Sequence, residues 1–453
     1  MFRLKAIFLV ILLLGGGGIV RAATPPNALV WQVAADKVSA DLHGEPLWPL
    51  LTDIAHQTGW HIFVEPGIDR KADVKFSRLS SGEALKKLLG DLNFAYVPKT
   101  NEADYLYVFA TTMHAATQRI KVASTNAATV ARHVPNELIL KVKPGTDIDA
   151  LAKALGAKVV GRDDKLGIYR LQFADAAATD AALGQLQSNA DVAAVEYNYI
   201  LDPPAPVQKI ANAPVGPVSL TLNPPNDNGR VIVGLVDTAL QPSGTDADKL
   251  VVQQISIAGD AAVNGNSPTH GESMLQTLAQ GLAAQGSVSA QVVAADIYGN
   301  SETATTWNLI LGLQAVANNG ANFINISSGG SGDSPVLNDF VSQLLAKGII
   351  IFAATGNGGA NTVNYPAADS GVIAVAATQG SQLAPYSNYG AGTAIALPGS
   401  SVVYLGDTAW LVQGTSPATA LATGIAAGAK SNGNQTWAQI YAAMQQRFSV
   451  PAK

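Results

Sequence analysis

The chain has 453 residues, of which 48% are hydrophobic and 13% charged, with 43 glycines and a formal net charge of −5. That length calls for roughly two to four domains, and the apolar, Gly-rich composition excludes a disordered chain or a coiled coil. No Lys/Arg cluster follows the first few residues, which leaves nucleic-acid binding without an electrostatic footprint. The absence of cysteine excludes disulfides, thiolate catalysis, cysteine lipidation and thiolate zinc sites.

Arg3 and Lys5 precede an apolar run over 6–14, four glycines, and the small residues Ala22 and Ala23. A positive start, a short apolar core and a small-residue end predict a secretory signal peptide over 1–23, hence an exported protein of the periplasm or the extracellular space. The alternative, a retained membrane anchor, has too short and too Gly-broken an apolar stretch.

Residues 27–110 read as a small α+β domain. Strand-like patches at 30–33, 61–64, 74–76 and 105–109 alternate with helical patterns over 47–58 and 81–92, each with apolar residues at three-to-four spacing. His43, His56 and His61 lack metal-site spacing. Segments 46–66 and 80–96 resemble the short N-terminal domain of secretins and TonB-dependent receptors. That likeness implies an envelope protein as the domain's partner.

A polar linker over 111–134 is followed by a second α+β unit over 135–200. Strand-like 137–142, the turn Lys143-Pro144-Gly145-Thr146, a helix over 147–155, strands near 156–160 and 167–173, a helix over 176–187 and a strand over 192–199 predict an open-faced βαββαβ sandwich. Residues 201–228 then carry seven prolines (203, 204, 206, 214, 217, 224 and 225) and no apolar period, the mark of an extended connector.

From 229 onward, continuous apolar runs at 231–236, 288–295, 323–326, 349–354, 372–377 and 394–397 alternate with helical stretches such as 305–318 and 338–347. This predicts a parallel sheet covered on both faces, with functional groups at the carboxyl ends of its strands. Four segments there carry chemistry-bearing residues. Asp237 ends the first apolar strand, as a buried aimed acid or as an ordinary turn cap. His270 is the only histidine between 229 and 453. It is thus the sole imidazole available for general acid–base work, although a lone His is more often structural. Asn357 stands between glycines, where its amide can donate to developing negative charge or simply complete an Asn-Gly turn. Ser416 opens a small-residue helix with Pro417 in its first turn, either as a nucleophile beside free backbone N–H groups or as an N-cap.

Taken together and in this order, Val236-Asp237-Thr238, His270-Gly271, Asn325-Ile326-Ser327-Ser328-Gly329-Gly330, Ala354-Thr355-Gly356-Asn357 and Gly414-Thr415-Ser416 resemble the subtilisin-like serine peptidases. Tyr365-Pro366-Ala367, Tyr386-Ser387-Asn388-Tyr389-Gly390 and Leu397-Pro398-Gly399 support the likeness. It implies a subtilisin-like α/β catalytic domain over 229–453, hydrolysing peptide bonds through Asp237, His270 and Ser416 with Asn357 in the oxyanion hole. Substrate would lie along Ser327, Ser328, Gly329, Gly330 and Gly356, and near 299–301.

Asn136-Glu137-Leu138-Ile139-Leu140-Lys141-Val142-Lys143-Pro144-Gly145 and 192–199 resemble the family's inhibitory propeptide. This implies a zymogen whose prodomain tail lies in the cleft and whose connector is self-cleaved. No cofactor is implied for the chemistry. Structural calcium is left open, because Asp246, Asp248 and Asp260 form no recognisable loop motif. The sequence departs from the family pattern at Thr238-Ala239, at Glu272, Leu275 and Gln276, at Ser328, at Pro417 and at Ala420-Leu421. These departures keep a second reading in view, a weak or inactive peptidase-like binding protein of the envelope.

Overall fold

The computed structural model describes residues 28–120, 131–210 and 231–451, apart from 33–35, 59, 66, 69, 99–103, 117, 264, 287–288 and 434, together with 216–217 and 219–221. The expected signal peptide, most of the first linker and most of the connector beyond 210 lie outside the described residues. The chain divides into two compact units, with the boundary between Val122 and Ala123.

The first unit holds two small sheets, one of strands Ala28–Gln32, Lys37–Pro46 and Lys71–Leu79, the other built on His61–Val64, Asn93–Val97, Tyr105–Phe109 and Gln118–Arg119. Helices Leu47–Thr58 and Ser81–Leu89 pack their apolar stripes into one core with Leu50, Leu51, Ile54, Leu85 and Leu88 fully enclosed. The second helix stops at Leu89, short of the expected 92, because Gly90 follows in a left-handed conformation (φ 56°). Its start is a capping box in which Ser80 and Glu83 satisfy each other's backbone N–H. The sequence pattern overlooked strand Lys37–Pro46, whose alternation is interrupted by a register shift between Leu42 and Glu45.

In the second unit, strands His133–Val142, Lys158–Asp163, Ile168–Gln172 and Val192–Tyr199 form an antiparallel sheet with helices Ile148–Ala154 and Ala176–Leu186. The expected βαββαβ order is present. Asp147 and Asp175 cap the two helices by accepting from backbone N–H groups of their first turns. Among the described residues the main sheet has eight strands. Val251–Ser256, Ala290–Asp296, Val231–Asp237, Phe323–Ile326, Ile350–Ala354 and Ile373–Gln379 run parallel in that order. Thr393–Pro398 pairs parallel with Ile373–Gln379, and Gln382–Leu383 adds an antiparallel edge.

These strands read as unbroken apolar runs because both sheet faces are buried. Val233, Leu235, Val292, Ala294 and Phe352 enter the core under helices His270–Ala283, Thr415–Asn432 and Trp437–Arg447. Val236, Val293, Ala295, Ile351 and Ala353 enter the opposite core, under Thr306–Asn318 and Pro335–Ala346. A hairpin absent from the sequence expectation, Ser400–Leu405 with Thr408–Gln413, leads into the helix that carries Ser416. Among the described residues no helix is long and apolar enough to cross a membrane.

Candidate active site

Strand Val231–Asp237 delivers Asp237 at its carboxyl end, where the residue is 1% exposed. The next segment is locked by a close approach. The Gly271 N–H donates to Thr238 Oγ1 at 2.7 Å, and a Cβ at Gly271 would sit 2.1 Å from the Thr238 carbonyl oxygen, so only glycine fits after the histidine. His270 opens helix His270–Ala283, capped by the Thr269 hydroxyl, which accepts from the Glu272 N–H. Its Nδ1 meets Asp237 Oδ1 at 2.7 Å inside the protein, and its Nε2 is buried with no hydrogen-bond partner. A carboxylate on Nδ1 holds the proton there and leaves Nε2 to act as base.

Helix Thr415–Asn432 runs alongside the histidine helix. A Cβ on Gly424 would meet the Leu278 carbonyl oxygen at 2.1 Å, one on Gly281 the Ile425 nitrogen at 2.8 Å, and one on Gly428 the Gln285 side chain at 2.9 Å. These contacts advance together along both helices. The two are therefore parallel, and their first turns, which carry His270 and Ser416, lie at the same end.

Ser416 is 3% exposed, and its hydroxyl donates to the Ser327 carbonyl oxygen at 2.9 Å rather than to His270. Ser327 Oγ in turn donates to the Ser416 carbonyl oxygen at 3.2 Å. Asn325 holds Ser327 Oγ from one side and accepts from Thr423 of the serine helix on the other.

Gly414, in extended positive-φ backbone (146°), precedes this helix. It lets the Asn357 amide lie close, since a Cβ there would be 3.1 Å from Asn357 Nδ2. Thr415 donates from both N–H and Oγ1 to Asn357 Oδ1, at 2.8 and 3.1 Å. Those bonds fix the amide's orientation and leave Nδ2 as a donor beside the first-turn N–H of Ser416. The Asn357 loop is itself tied down by Asn388, whose Oδ1 accepts from the N–H groups of Gly358 and Ala360 and whose Nδ2 donates to the Thr355 and Asn364 oxygens. Gly356 (φ 107°) passes so close to Asn388 and Asn364 that no side chain fits. The structure thus places Asp237, His270, Ser416 and Asn357 at or just beyond the ends of neighbouring elements.

The segment Ser327–Gly330 is not open surface. The Asp202 N–H donates to the Gly329 carbonyl oxygen at 2.8 Å, and the Leu201 N–H to the Ala304 carbonyl oxygen at 2.9 Å. On its other side the segment 200–202 meets Ala304 and Thr305, while the Tyr298 and Gly299 N–H groups turn inward to Asp296 Oδ1. Sequence reasoning missed Asp296, although it ends strand Ala290–Asp296 as Asp237 ends its neighbour and pairs with it in register. Burial pushes its carboxyl above the usual range, with the backbone N–H groups pulling the other way.

Two prodomain residues were also missed. Glu196 accepts from Ser334 Oγ and from the Val336 N–H, and Asn198 Oδ1 accepts from the Trp307 N–H, so each caps a helix of the large sheet. Their alternation with Tyr197 along the strand is the signal that both face one way.

Glu272 neither faces solvent nor pairs with His270. It accepts from Gln276 Nε2 at 2.9 Å, and burial pushes its carboxyl up to about 7. Asp246 pairs with Lys249, while Asp248 accepts from the Ser243 and Gly244 N–H groups. Among the described residues no group of three or more potential ligands could hold a metal ion.

A buried carboxylate–imidazole pair, a serine at a helix start and a fixed amide donor define a serine-hydrolase type of site on a parallel sheet. Residues 228–448 match the Subtilase family, and residues 119–198 match the Fervidolysin N-terminal prodomain. Subtilisin DY of Bacillus licheniformis is 32% identical over 209 residues, covering 44% of this chain and 76% of the relative. M-protease of Shouchella clausii is 36% identical over 155 residues, 34% of this chain, and the chain spans only 40% of that relative's length. The chain belongs to the subtilase family. The crystal structure of fervidolysin from Fervidobacterium pennivorans, a keratinolytic enzyme related to subtilisin, shares the fold with a TM-score of 0.54 at 17% identity, over 72% of this chain and 58% of that one.

Proposed function

We propose that the chain is an exported serine endopeptidase, made as a zymogen and self-processed within the 201–228 connector. The observation that carries the catalytic reading is the buried 2.7 Å Asp237–His270 bond, with Nε2 left unpartnered at the end of the site where Ser416 begins its helix. The Ser416 hydroxyl leaves Ser327 for His270 Nε2, loses its proton to the imidazole and attacks the scissile carbonyl carbon. Asp237 stabilises the imidazolium. The Asn357 amide and the Ser416 N–H receive the negative oxygen of the tetrahedral intermediate. His270 then protonates the leaving amine, and water, deprotonated by the same imidazole, hydrolyses the acyl-enzyme. Ser416 leaves with the proton taken from that water, so side chains, backbone N–H groups and one water account for every proton and charge, and the sequence calls on no cofactor. Polypeptide is the substrate, and the prodomain is the intramolecular inhibitor. Export rests on the charged, apolar and small-residue pattern of 1–23.

The test is fluorophosphonate labelling of prodomain-free protein, with the adduct located by mass spectrometry. An adduct on Ser416, lost in His270→Ala, is expected. Folded protein that takes no label overturns the catalytic reading in favour of a peptidase-like binding protein.

A further inference from the structure

The connector does not leave the prodomain as a loose tether. Tyr199 packs where a Cβ on Gly332 would reach its ring, the Ile200 carbonyl oxygen lies where one on Gly330 would sit, and Asp202 bonds Gly329. The segment therefore descends antiparallel along 332–329, while Ile200 bridges Thr305 on its other side. Leu201 is buried in the core beneath. Asp202 is pinned further by Arg132 at 2.9 Å and by Asn364 at 3.4 Å, and its carbonyl oxygen accepts from the Tyr298 hydroxyl at 3.3 Å. Beyond a short interval the chain is held again. Strand Gln208–Ile210 pairs antiparallel with Thr408–Gln413, Gln208 facing Leu411 and Ile210 facing Ala409.

Both ladders can be continued inward. Two residues past Asp202 on the first, Pro204 comes opposite Ser327. Two residues before Gln208 on the second, Pro206 comes opposite Gln413. Ser327 exchanges hydrogen bonds with Ser416, and Gln413 precedes Ser416 by three residues. Extended in these registers, the two ladders would set the bond between Pro204 and Ala205 opposite Ser416. In a regular ladder the backbone N–H of residue 204 would go to the Ser327 carbonyl oxygen, but proline has none, and that oxygen is taken instead by the Ser416 hydroxyl. Pro206 likewise offers no N–H to Gln413, and Pro203 is fixed in φ.

We propose that residues 201–210 form a cleavage-resistant strap. They fill the cleft in the register of a substrate, and Pro203, Pro204 and Pro206 keep the Pro204–Ala205 bond from being cut by removing the backbone hydrogen bonds that would hold its carbonyl at attack distance. Self-cleavage then falls at connector bonds outside the strap, and substrate enters only after the strap is displaced. This rests on the peptidase reading for its cleavage half; the docking half stands on geometry alone.

Two measurements on the full chain separate the halves. In Ser416→Ala, which cannot cut itself, the Leu201 and Asp202 amides are expected to exchange hydrogen about 100-fold or more slowly than an unstructured chain. Free exchange there overturns the strap whatever the activity. In chain with an intact Ser416, mass spectrometry is expected to find Pro204–Ala205 whole, and the triple variant Pro203→Ala, Pro204→Ala, Pro206→Ala to be cut at that bond. Cleavage of the natural sequence there, or survival of the bond in a triple variant whose Ser416 takes the fluorophosphonate, overturns the prolines as the cause. Protected amides in a protein that never labels would sink the peptidase reading and leave the docked strap standing.

Discussion

Glu272 shows how a single departure from the family pattern is absorbed. Two residues after His270 a carboxylate would disturb the imidazole if the two met, but the helix turns it toward Gln276, Ser243 and Asp248. Burial is the largest influence on its carboxyl and raises it to about 7 from 4.5. For an acid raised on folding, the stabilisation is complete while both states are protonated, below about pH 4.5, and is lost as pH rises through 7. The isosteric Glu272→Gln never ionises. In a Ser416→Ala background, urea unfolding is expected to find the two proteins alike near pH 4.5. At pH 9 the glutamine variant should be more stable by about 3 kcal/mol, the cost of ionising a carboxyl that burial holds at about 7. A difference independent of pH would mean that the Glu272 carboxyl titrates alike in folded and unfolded protein, its bonds to Gln276 and its neighbours offsetting the burial.

At the scale of elements, the parallel contact of helices His270–Ala283 and Thr415–Asn432 sets the distance between the base and the nucleophile. It depends on glycines that let backbone touch backbone. A Cβ at Gly424 would lie 2.1 Å from the Leu278 carbonyl oxygen, which cannot yield without separating the helices. Gly424→Val is expected to cost ~3 kcal/mol of stability by overpacking. Labelling of Ser416 should slow in protein that remains folded, because His270 and Ser416 move apart with their helices. Unchanged unfolding and labelling would show that the contact is loose.

The same elements show what was legible in the sequence. The parallel strands announced themselves as unbroken apolar runs, since both faces are covered, and Asp237, Asn357 and Ser416 were visible because each stands where such a run or its glycine turn ends. Strand Val251–Ser256, at the sheet edge and largely exposed, has no such run and was overlooked. Asp296 went unnoticed because aspartate after a strand is commonplace, and only the pairing with Asp237 gives it significance. The propeptide resemblance implied a tail in the cleft, but the register of 201–210 left no mark in the residue pattern, for a different reason. Its partners are backbone atoms of Gly329, Ala304 and Leu411, and backbone hydrogen bonding leaves almost no trace in side-chain pattern.

Across the second unit as a whole, prodomain and large sheet are joined by polar caps as much as by apolar surface. Helix Pro335–Ala346 starts with Ser334 and Val336 both donating to Glu196, and helix Thr306–Asn318 has the Trp307 N–H directed to Asn198, which Glu137 holds from behind at 2.8 Å. A helix start leaves several N–H groups without helical partners, so undocking the prodomain would expose donors that are now satisfied inside the protein. The caps lie on strand Val192–Tyr199, which leads directly into Ile200 and Leu201. Removing them should therefore act on the strap as well as on the interface. Each cap is worth about 1 kcal/mol. The double variant Glu196→Ala, Asn198→Ala is expected to lose roughly 2 kcal/mol of docking on that basis, which is about 30-fold in the docked population. Hydrogen exchange at Leu201 and Asp202 should accelerate by that factor, and Ser416 should label faster at equal protein concentration, while the folded core of the large sheet keeps its protection. If exchange at 201–202 stays slow, the strap holds by its own bonds to Gly329 and Ala304. If the core loses protection too, the two helices need their caps to fold, and the prodomain is part of the native structure rather than a removable cover.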